Sequence, residues 1–268
     1  MLRKQKDLLS KKRNKGENWK VELLDKVDKK LQEYVTNEVF PLYEMNGGAH
    51  GIEHIEAVIK RTFEIIEEFE EDSESKQEIN YNMSYVIAAY HDIGEHIDRK
   101  KHHIISGEIM FKDKKLDEFF STEEKQIMKK AIEDHRASNT HFPCSIYGRI
   151  VLTADRNDNL PEFFKRRVQY CFEHYPELSL EEVQKEIWES SKKKFGGKGY
   201  AKNKPGYMPS KKLKRYYEKL DEILKDKDTF FEEVSKVYKQ LESKYKKDDM
   251  ESNILEEITI EDDKRIKN

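Results

Sequence analysis

Residues 86–96 read VIAAYHDIGEH. Val86 to Tyr90 would be apolar on every side of a helix, so this stretch belongs at the centre of a helical bundle. It then runs straight into His91 and Asp92. An imidazole and a carboxylate at the mouth of a core helix are costly to desolvate unless something binds them. The surrounding composition agrees with a bundle. Charged residues make up 39% of the chain and hydrophobic residues 36%, a balance suited to amphipathic helices with wide solvated faces. Only 6 Pro and 11 Gly interrupt those helices. The expected fold is all-α.

Outward from this stretch, apolar residues recur at helical spacing. Leu23, Val27, Leu31 and Val35 predict a helix from Trp19 to Phe40, ended by Pro41 and the Asn46-Gly47-Gly48 cluster. A second helix is predicted from about Gly51 to Glu71, and the central one from about Asn80 to Gly94. A short helix spans 102–112. The Ser-Thr-Glu-Glu pattern at Ser121 is a capping box that opens the next, to about Arg136. Ser145 to Asn157 is another, with Ile146, Ile150, Val151 and Ala154 inward. Pro161 stands at a favourable first-turn position. Further helices are expected at about 162–174, 179–194, 210–226 and 228–246.

Helix spacing brings polar groups onto core-facing stretches. His54 lies four residues after His50 and is followed by Ile55 and Val58, so it points inward. Asp155, in IVLTADRND, lies four residues after Val151 and points the same way. A lone core histidine is usually just hydrogen-bonded, but a buried carboxylate without a cation is expensive. Taken together, His54, His91, Asp92 and Asp155 supply two imidazoles and two carboxylates, whose charge neutralises one divalent cation. With no thiolate in the set, Mn, Fe, Ni, Zn and Mg are all admissible. Inward-facing side chains of different helices are a common way to hold a metal in a bundle.

From Ser190 to Tyr217 there is no Asp or Glu, and the window holds ten Lys or Arg and four Gly. It reads as a mobile basic flap between helices. It is either a solvated linker or a loop recruiting an anionic substrate or nucleic acid, with Tyr200, Tyr207, Tyr216 and Tyr217 interleaved for stacking. No apolar run approaches the length of a membrane span. The basic start of the chain lacks the apolar stretch of a signal peptide. Cys144 and Cys171 are in no metal-type spacing and are expected to be unpaired, buried thiols. A cytoplasmic protein with no membrane association is expected.

The order His54, His91-Asp92, Asp155 resembles the HD-domain superfamily of metal-dependent phosphohydrolases. HIEAV is similar to that family's first motif, AAYHDIGE to its second and LTADRND to its last, over about residues 40–165. HHIISGEIM resembles an intermediate motif and puts His102 at its position; IEDHR resembles the segment in which some members carry a further histidine, here His135. Glu95 stands where many members have Lys, an arrangement similar to the nucleotidase and alarmone-hydrolase branches, although His96 replaces the usual second acid of the latter. The GYP element of cyclic-dinucleotide phosphodiesterases is missing after His135.

The resemblance implies a hydrolase that acts on a phosphate ester or anhydride, with a nucleotide the leading substrate. The alternatives are phosphodiester or alarmone hydrolysis, or a non-enzymatic HD protein that binds a nucleotide or nucleic acid. His54, His91, Asp92 and Asp155 would hold one divalent ion. Glu95 would orient or deprotonate water. His102 and His135 would protonate the leaving oxygen or, as in two-ion members, bind a second ion bridged by Asp92. Arg136, Arg156, Lys198 and Lys202 are the candidates for meeting phosphate charge. His50, His96, His103, His141 and His174 are expected in structural or surface roles. The implied organisation is a basic leader at 1–17, an HD-type metal-binding core at 18–175, a helical extension at 176–247 containing the flap, and a charged tail at 248–268. Oligomeric state is left open.

Overall fold

The computed structural model describes residues 23–46, 50–72, 77–156, 159–202, 204–243 and 245. The leader at 1–17, the tail at 248–268, and Gly47, Gly48 and Asn157 lie outside the described residues. Every regular element among the described residues is helical, as composition implied. The chain forms two compact units, Met1–Arg156 with Asn203–Lys214, and Asn157–Lys202 with Arg215–Asn268. The position near 175 at which the core was expected to end falls inside the second unit.

The helix expected at 19–40 lies outside the described residues over 19–22, and over 23–40 it is broken into short pieces. A 3-10 turn covers Leu24–Lys26 and Val27 is extended. Asp28 then caps a fresh helix, α1 (Lys29–Tyr34), by accepting from the backbone N–H groups of Lys30 and Leu31 at 2.8 and 3.1 Å. The chain continues as a π turn over Val35–Val39 and a 3-10 segment over Phe40–Met45. Pro41 does not end the helical path, because it sits in the first turn of that segment, where no intrahelical donor is needed. The apolar periodicity survives these breaks: Val27, Leu31, Val35 and Val39 are all buried.

Helix α2 (Ile52–Asp72) buries Ile55, Val58, Ile59, Thr62, Phe63 and Ile66 along one stripe. Helix α3 (Tyr81–Tyr90) is capped by Asn80, and every residue from Met83 to Tyr90 is buried. Helices α4 (His102–Lys112), α5 (Thr122–Asp134) and α6 (Ile146–Ala154) follow. The Ser121–Glu124 capping box at the start of α5 is formed in both directions. Helix α3 touches α2, α4, α5 and α6, so its apolar run is the axis of the bundle. Each fully buried Val or Ile contributes about 1.5–3 kcal/mol, which is why an all-round apolar helix settles there.

The second unit contains α7 (Leu160–His174), with Pro161 in its first turn and Asn159 as its cap. It also contains α8 (Leu180–Phe195), opened by a Ser179–Glu182 capping box. Helix α9 (Lys211–Ile223) begins in the first unit and ends in the second. Helix α10 spans 227–243. Phe164 and Trp188 pack edge-on against Phe230 at ring separations of 5.1 and 5.0 Å.

The 190–217 segment is not a free flap. Its ends are helical, in α8 and α9, and its middle is fastened to the first unit. Arg149 donates from Nε to the Gly206 carbonyl at 3.1 Å and from Nη2 to that of Tyr207 at 3.2 Å. The Met208 N–H donates to Thr153 Oγ1 at 2.8 Å, and the Met208 side chain is buried in the core. Gly206 has φ +95°, and a Cβ there would meet Pro143 Cδ at 2.6 Å, so glycine is required by both conformation and space. A lysine-rich composition hid this anchoring, because the main-chain bonds and one methionine that make it carry little signal in sequence.

Candidate metal centre

Helix α3 stops at Tyr90, not at Gly94. His91 is its C-cap, and the chain then tightens into successive 3-10-type turns, with the Ile93 N–H on the Tyr90 carbonyl (3.2 Å) and that of Glu95 on the Asp92 carbonyl (3.0 Å). Two contacts fix this turn. The Gly94 N–H donates to Ser106 Oγ at 3.0 Å, and a Cβ on Gly94 would meet Ile105 Cγ2 at 2.7 Å. The turn therefore lies directly on α4 and brings His102, at the start of α4, beside Asp92. On the other side Asn46, buried, donates to the carbonyls of Asp92 (3.0 Å) and His50 (3.3 Å). Its own carbonyl accepts from the His96 backbone at 3.2 Å. His96 thus helps to hold the turn, the structural role expected of it.

His54, His91, Asp92 and Asp155 offer ligand atoms that all lie within 4.8 Å of one another. His54 Nε2 is 3.5 Å from Asp92 Oδ2 and 3.3 Å from Asp155 Oδ1. His91 Nε2 is 3.5 Å from Asp92 Oδ2 and 3.7 Å from Asp155 Oδ1. His91 Nδ1 sits 2.8 Å from the Ala88 carbonyl, which can only accept, so Nδ1 carries the proton and Nε2 turns its lone pair towards the carboxylates. His91 Nε2 is buried with no hydrogen-bond partner in the structure. A lone pair facing two carboxylates is repulsive without a cation between them. His50, expected to be peripheral, places Nδ1 2.9 Å from the same Asp92 Oδ2.

A second cluster shares Asp92. His102 Nε2 and His135 Nε2 lie 3.3 and 3.4 Å from Asp92 Oδ1 and 3.0 Å from each other. Both rings commit Nδ1–H to a carbonyl three residues back, His102 to Arg99 at 2.8 Å and His135 to Ile132 at 2.7 Å. Their Nε2 lone pairs therefore point at one another, which demands a proton or a cation between them. Asp92, His102 and His135 form a second group able to hold a metal ion.

The field of the site favours positive charge. Burial alone would push the Asp92 carboxyl up. Charge at His91 and hydrogen bonds from His135, His50 and His54 outweigh burial and hold the group well below the usual range. Asp155 behaves alike: Arg156, His54 and His91 overcome burial. Burial lowers the His91 pKa, but Asp92 and Asp155 raise it further, to a net value above its usual 6.5. His102 is pulled down by burial and by His135. Asp92 and Asp155 thus stay ionised, and each cluster combines carboxylate oxygens with imidazole nitrogens. That donor set suits a divalent first-row metal or Mg.

The other candidates sit differently. Glu95 lies in the turn, and its carboxylate pairs with Arg99 at 3.5 Å, not with the clusters. The helix that would have carried Glu95 one turn beyond His91 has already ended. Arg156 is buried and pairs with Asp155, so it is engaged inside the site. Arg136 donates from Nη1 to the Lys100 carbonyl, tying the His135 segment to that of His102. Lys198 and Lys202 belong to the second unit, where Lys198 is exposed and Lys202 pairs with Asp221. His141 lies 3.4 Å from Asp134, and His174 stacks on Tyr170 at 4.1 Å. His103 has burial and neighbouring positive groups lowering its pKa to about 4.

Sequence reasoning missed Arg61 and Lys204. Arg61, on α2, donates from Nε to the Ala154 carbonyl at 2.5 Å, bracing the end of α6 one residue before Asp155. Its position seven residues after His54, on the same buried stripe, is the signal that could have found it. Lys204 is buried and donates to the carbonyls of Asn139 and His141, fastening the loop that follows His135.

The family model described as HD domain matches residues 51–160. No curated protein and no solved structure matches the chain at a significant level. The matched span contains both clusters apart from His50, from His54 at the start of α2 to Asp155 at the end of α6. HD domains are mostly metal-dependent hydrolases, and a buried His/Asp cluster able to hold a metal ion is present here. Over residues 51–160, this chain carries an HD domain.

Proposed function

We propose that this protein is a metal-dependent phosphohydrolase in which two groups of side chains that share Asp92 would each hold a divalent ion. The observation that carries this reading is the division of labour at that carboxylate: Oδ2 faces His50, His54 and His91, while Oδ1 faces His102 and His135. His54, His91, Asp92 and Asp155 would hold one ion, and Asp92, His102 and His135 the other. Ions bound there would lower the pKa of a bound water and polarise a phosphoryl oxygen. The chain's own residues do the rest. The carbonyls of Ala88, Arg99 and Ile132 fix three imidazole rings with Nε2 inward. Arg156 and Arg61 brace Asp155 and the end of α6.

His102 and His135 are better suited to ligation than to acid catalysis, because each has one nitrogen committed to a carbonyl and the other aimed at Asp92. Glu95 remains our assignment for orienting or deprotonating water, since its carboxylate has no histidine on it. The substrate would be a small phosphate ester or anhydride, with nucleotides the first class to test. Nucleic-acid binding through a tyrosine stack draws less support, because Tyr216 and Tyr217 are buried. The test is metal analysis of the purified protein, followed by a phosphate-release screen over nucleotides with added Mn²⁺. Release that needs the ion and is lost in Asp92→Asn supports the proposal. A metal-free protein that neither takes up Mn²⁺ nor releases phosphate contradicts it.

A further inference from the structure

Lys204, Gly206 and Met208 stand well beyond the span that the family model matches. Yet Asn203–Lys214 belongs to the same compact unit as the metal clusters, while the stretches on either side of it belong to the other unit. The chain leaves the first unit after Arg156 and comes back to it for a single strap. The strap bonds to two segments, and each of them delivers a ligand.

At the near end of the strap Lys204 is only 8% exposed. Its ammonium donates to the carbonyl of Asn139 and, at 3.2 Å, to that of His141. Asn139 is itself bonded back to the end of α5. Its Nδ2 donates to the Glu133 carbonyl at 2.9 Å and its N–H to the Arg136 carbonyl at 3.1 Å. His135 lies inside that closed turn, with Nδ1 on the Ile132 carbonyl. Whatever fixes Asn139 therefore fixes the turn that aims His135 at Asp92. Gly206 bears on the same loop, since a Cβ there would meet Pro143 Cδ at 2.6 Å.

At its far end the strap reaches α6. The Met208 N–H donates to Thr153 Oγ1 at 2.8 Å, and Thr153 Oγ1 donates to the Arg149 carbonyl at 2.7 Å. The Arg149 guanidinium closes the ring on the carbonyls of Gly206 and Tyr207. Asp155 follows Thr153 by two residues, and the Arg156 N–H bonds the Thr153 carbonyl at 3.1 Å. Lys204 is near both ends: burial lowers its pKa, Asp134 beside His135 supports its charge, and Arg156 beside Asp155 opposes it.

We propose that residues 204–208 are a positioning strap for the metal centre, in which Lys204 sets the affinity of the ion held by Asp92, His102 and His135 by fixing the turn that carries His135. This rests on the two-ion reading above. Groups that orient a ligand change metal affinity about 10–100-fold when they are removed. The matched HD span would then be incomplete without a segment from outside it.

The test is calorimetric titration of chelator-treated full-length protein with Mn²⁺. The binding step that His135→Ala removes is that of the second cluster. In Lys204→Met, which keeps the packed stem and loses the donors, that step should weaken about 10–100-fold while the other step stays where it was. Lys204→Arg, which restores donors to the two carbonyls, should recover most of the loss. A general loosening of the fold would neither single out one step nor be rescued in this way. Should Lys204→Met fail to fold, Asn139→Ala, which releases the loop from Glu133, is titrated in its place and should show the same selective loss. Two ions bound as tightly in the folded variant as in the unaltered protein, or an equal loss at both steps, would overturn the strap's role alone. Fewer than two ions in the unaltered protein would contradict the two-ion reading, and the strap's role with it.

Discussion

At the scale of single residues, Asp92 is the point on which the site turns, and His50 is its least expected neighbour. His50 reaches Asp92 Oδ2 at 2.9 Å from a short segment ahead of α2. His50→Ala is expected to lower metal affinity about 10–100-fold without abolishing binding, as loss of a supporting partner does; metal titration checks this. Glu95→Gln should leave metal content unchanged and cut kcat about 10²–10⁴-fold. An unchanged rate would reduce Glu95 to the partner of Arg99. The pH dependence of metal uptake follows from His91. The carboxylates raise its pKa above 6.5, so protons compete with the ion below that raised value, and uptake strengthens as pH rises through it. Metal titrations at pH 5.5 and 8 should therefore show the weaker binding at the lower pH. His54, His91, Asp92 and Asp155 were legible as a set because each follows a core-facing apolar run. His50 was in register with His54 but expected in a structural or surface role, because it stands ahead of α2 with no core-facing apolar run before it.

At the scale of elements, the central helix was read correctly in kind and about four residues too long. Val86 to Tyr90 announce burial on all sides, but nothing in HDIG announces that the helix gives way to 3-10-type turns. Gly94 is the physical reason for the path taken there, through its contact with α4. Gly94→Ala would drive its methyl group against Ile105, at a cost of about 1–3 kcal/mol, and would move His102 away from Asp92. Urea unfolding should show the loss, and metal analysis should show less bound metal. The capping box at Ser121 was visible as a local pattern. The break at Asp28 was not, because the apolar repeat at Val27, Leu31 and Val35 continues across it.

At the scale of the whole molecule, the all-α architecture was legible from composition and periodicity alone. The basic segment was not. Its lysines read as solvated, yet Lys204, Gly206 and Met208 fasten it to the first unit. Met208→Ala is expected to cost about 2–5 kcal/mol by leaving a cavity in the core, measured as a shift in the urea midpoint. Deleting 195–208 should accordingly lower stability, an outcome that a free linker would not produce.

The two-cluster arrangement itself is tested most directly by counting ions. Metal analysis after saturation with Mn²⁺ should find two per chain in the unaltered protein, one in His135→Ala and none in Asp92→Asn, with each variant's fold checked by circular dichroism. One ion per chain in the unaltered protein, or a count that His135→Ala leaves unchanged, would contradict a second ion held by Asp92, His102 and His135.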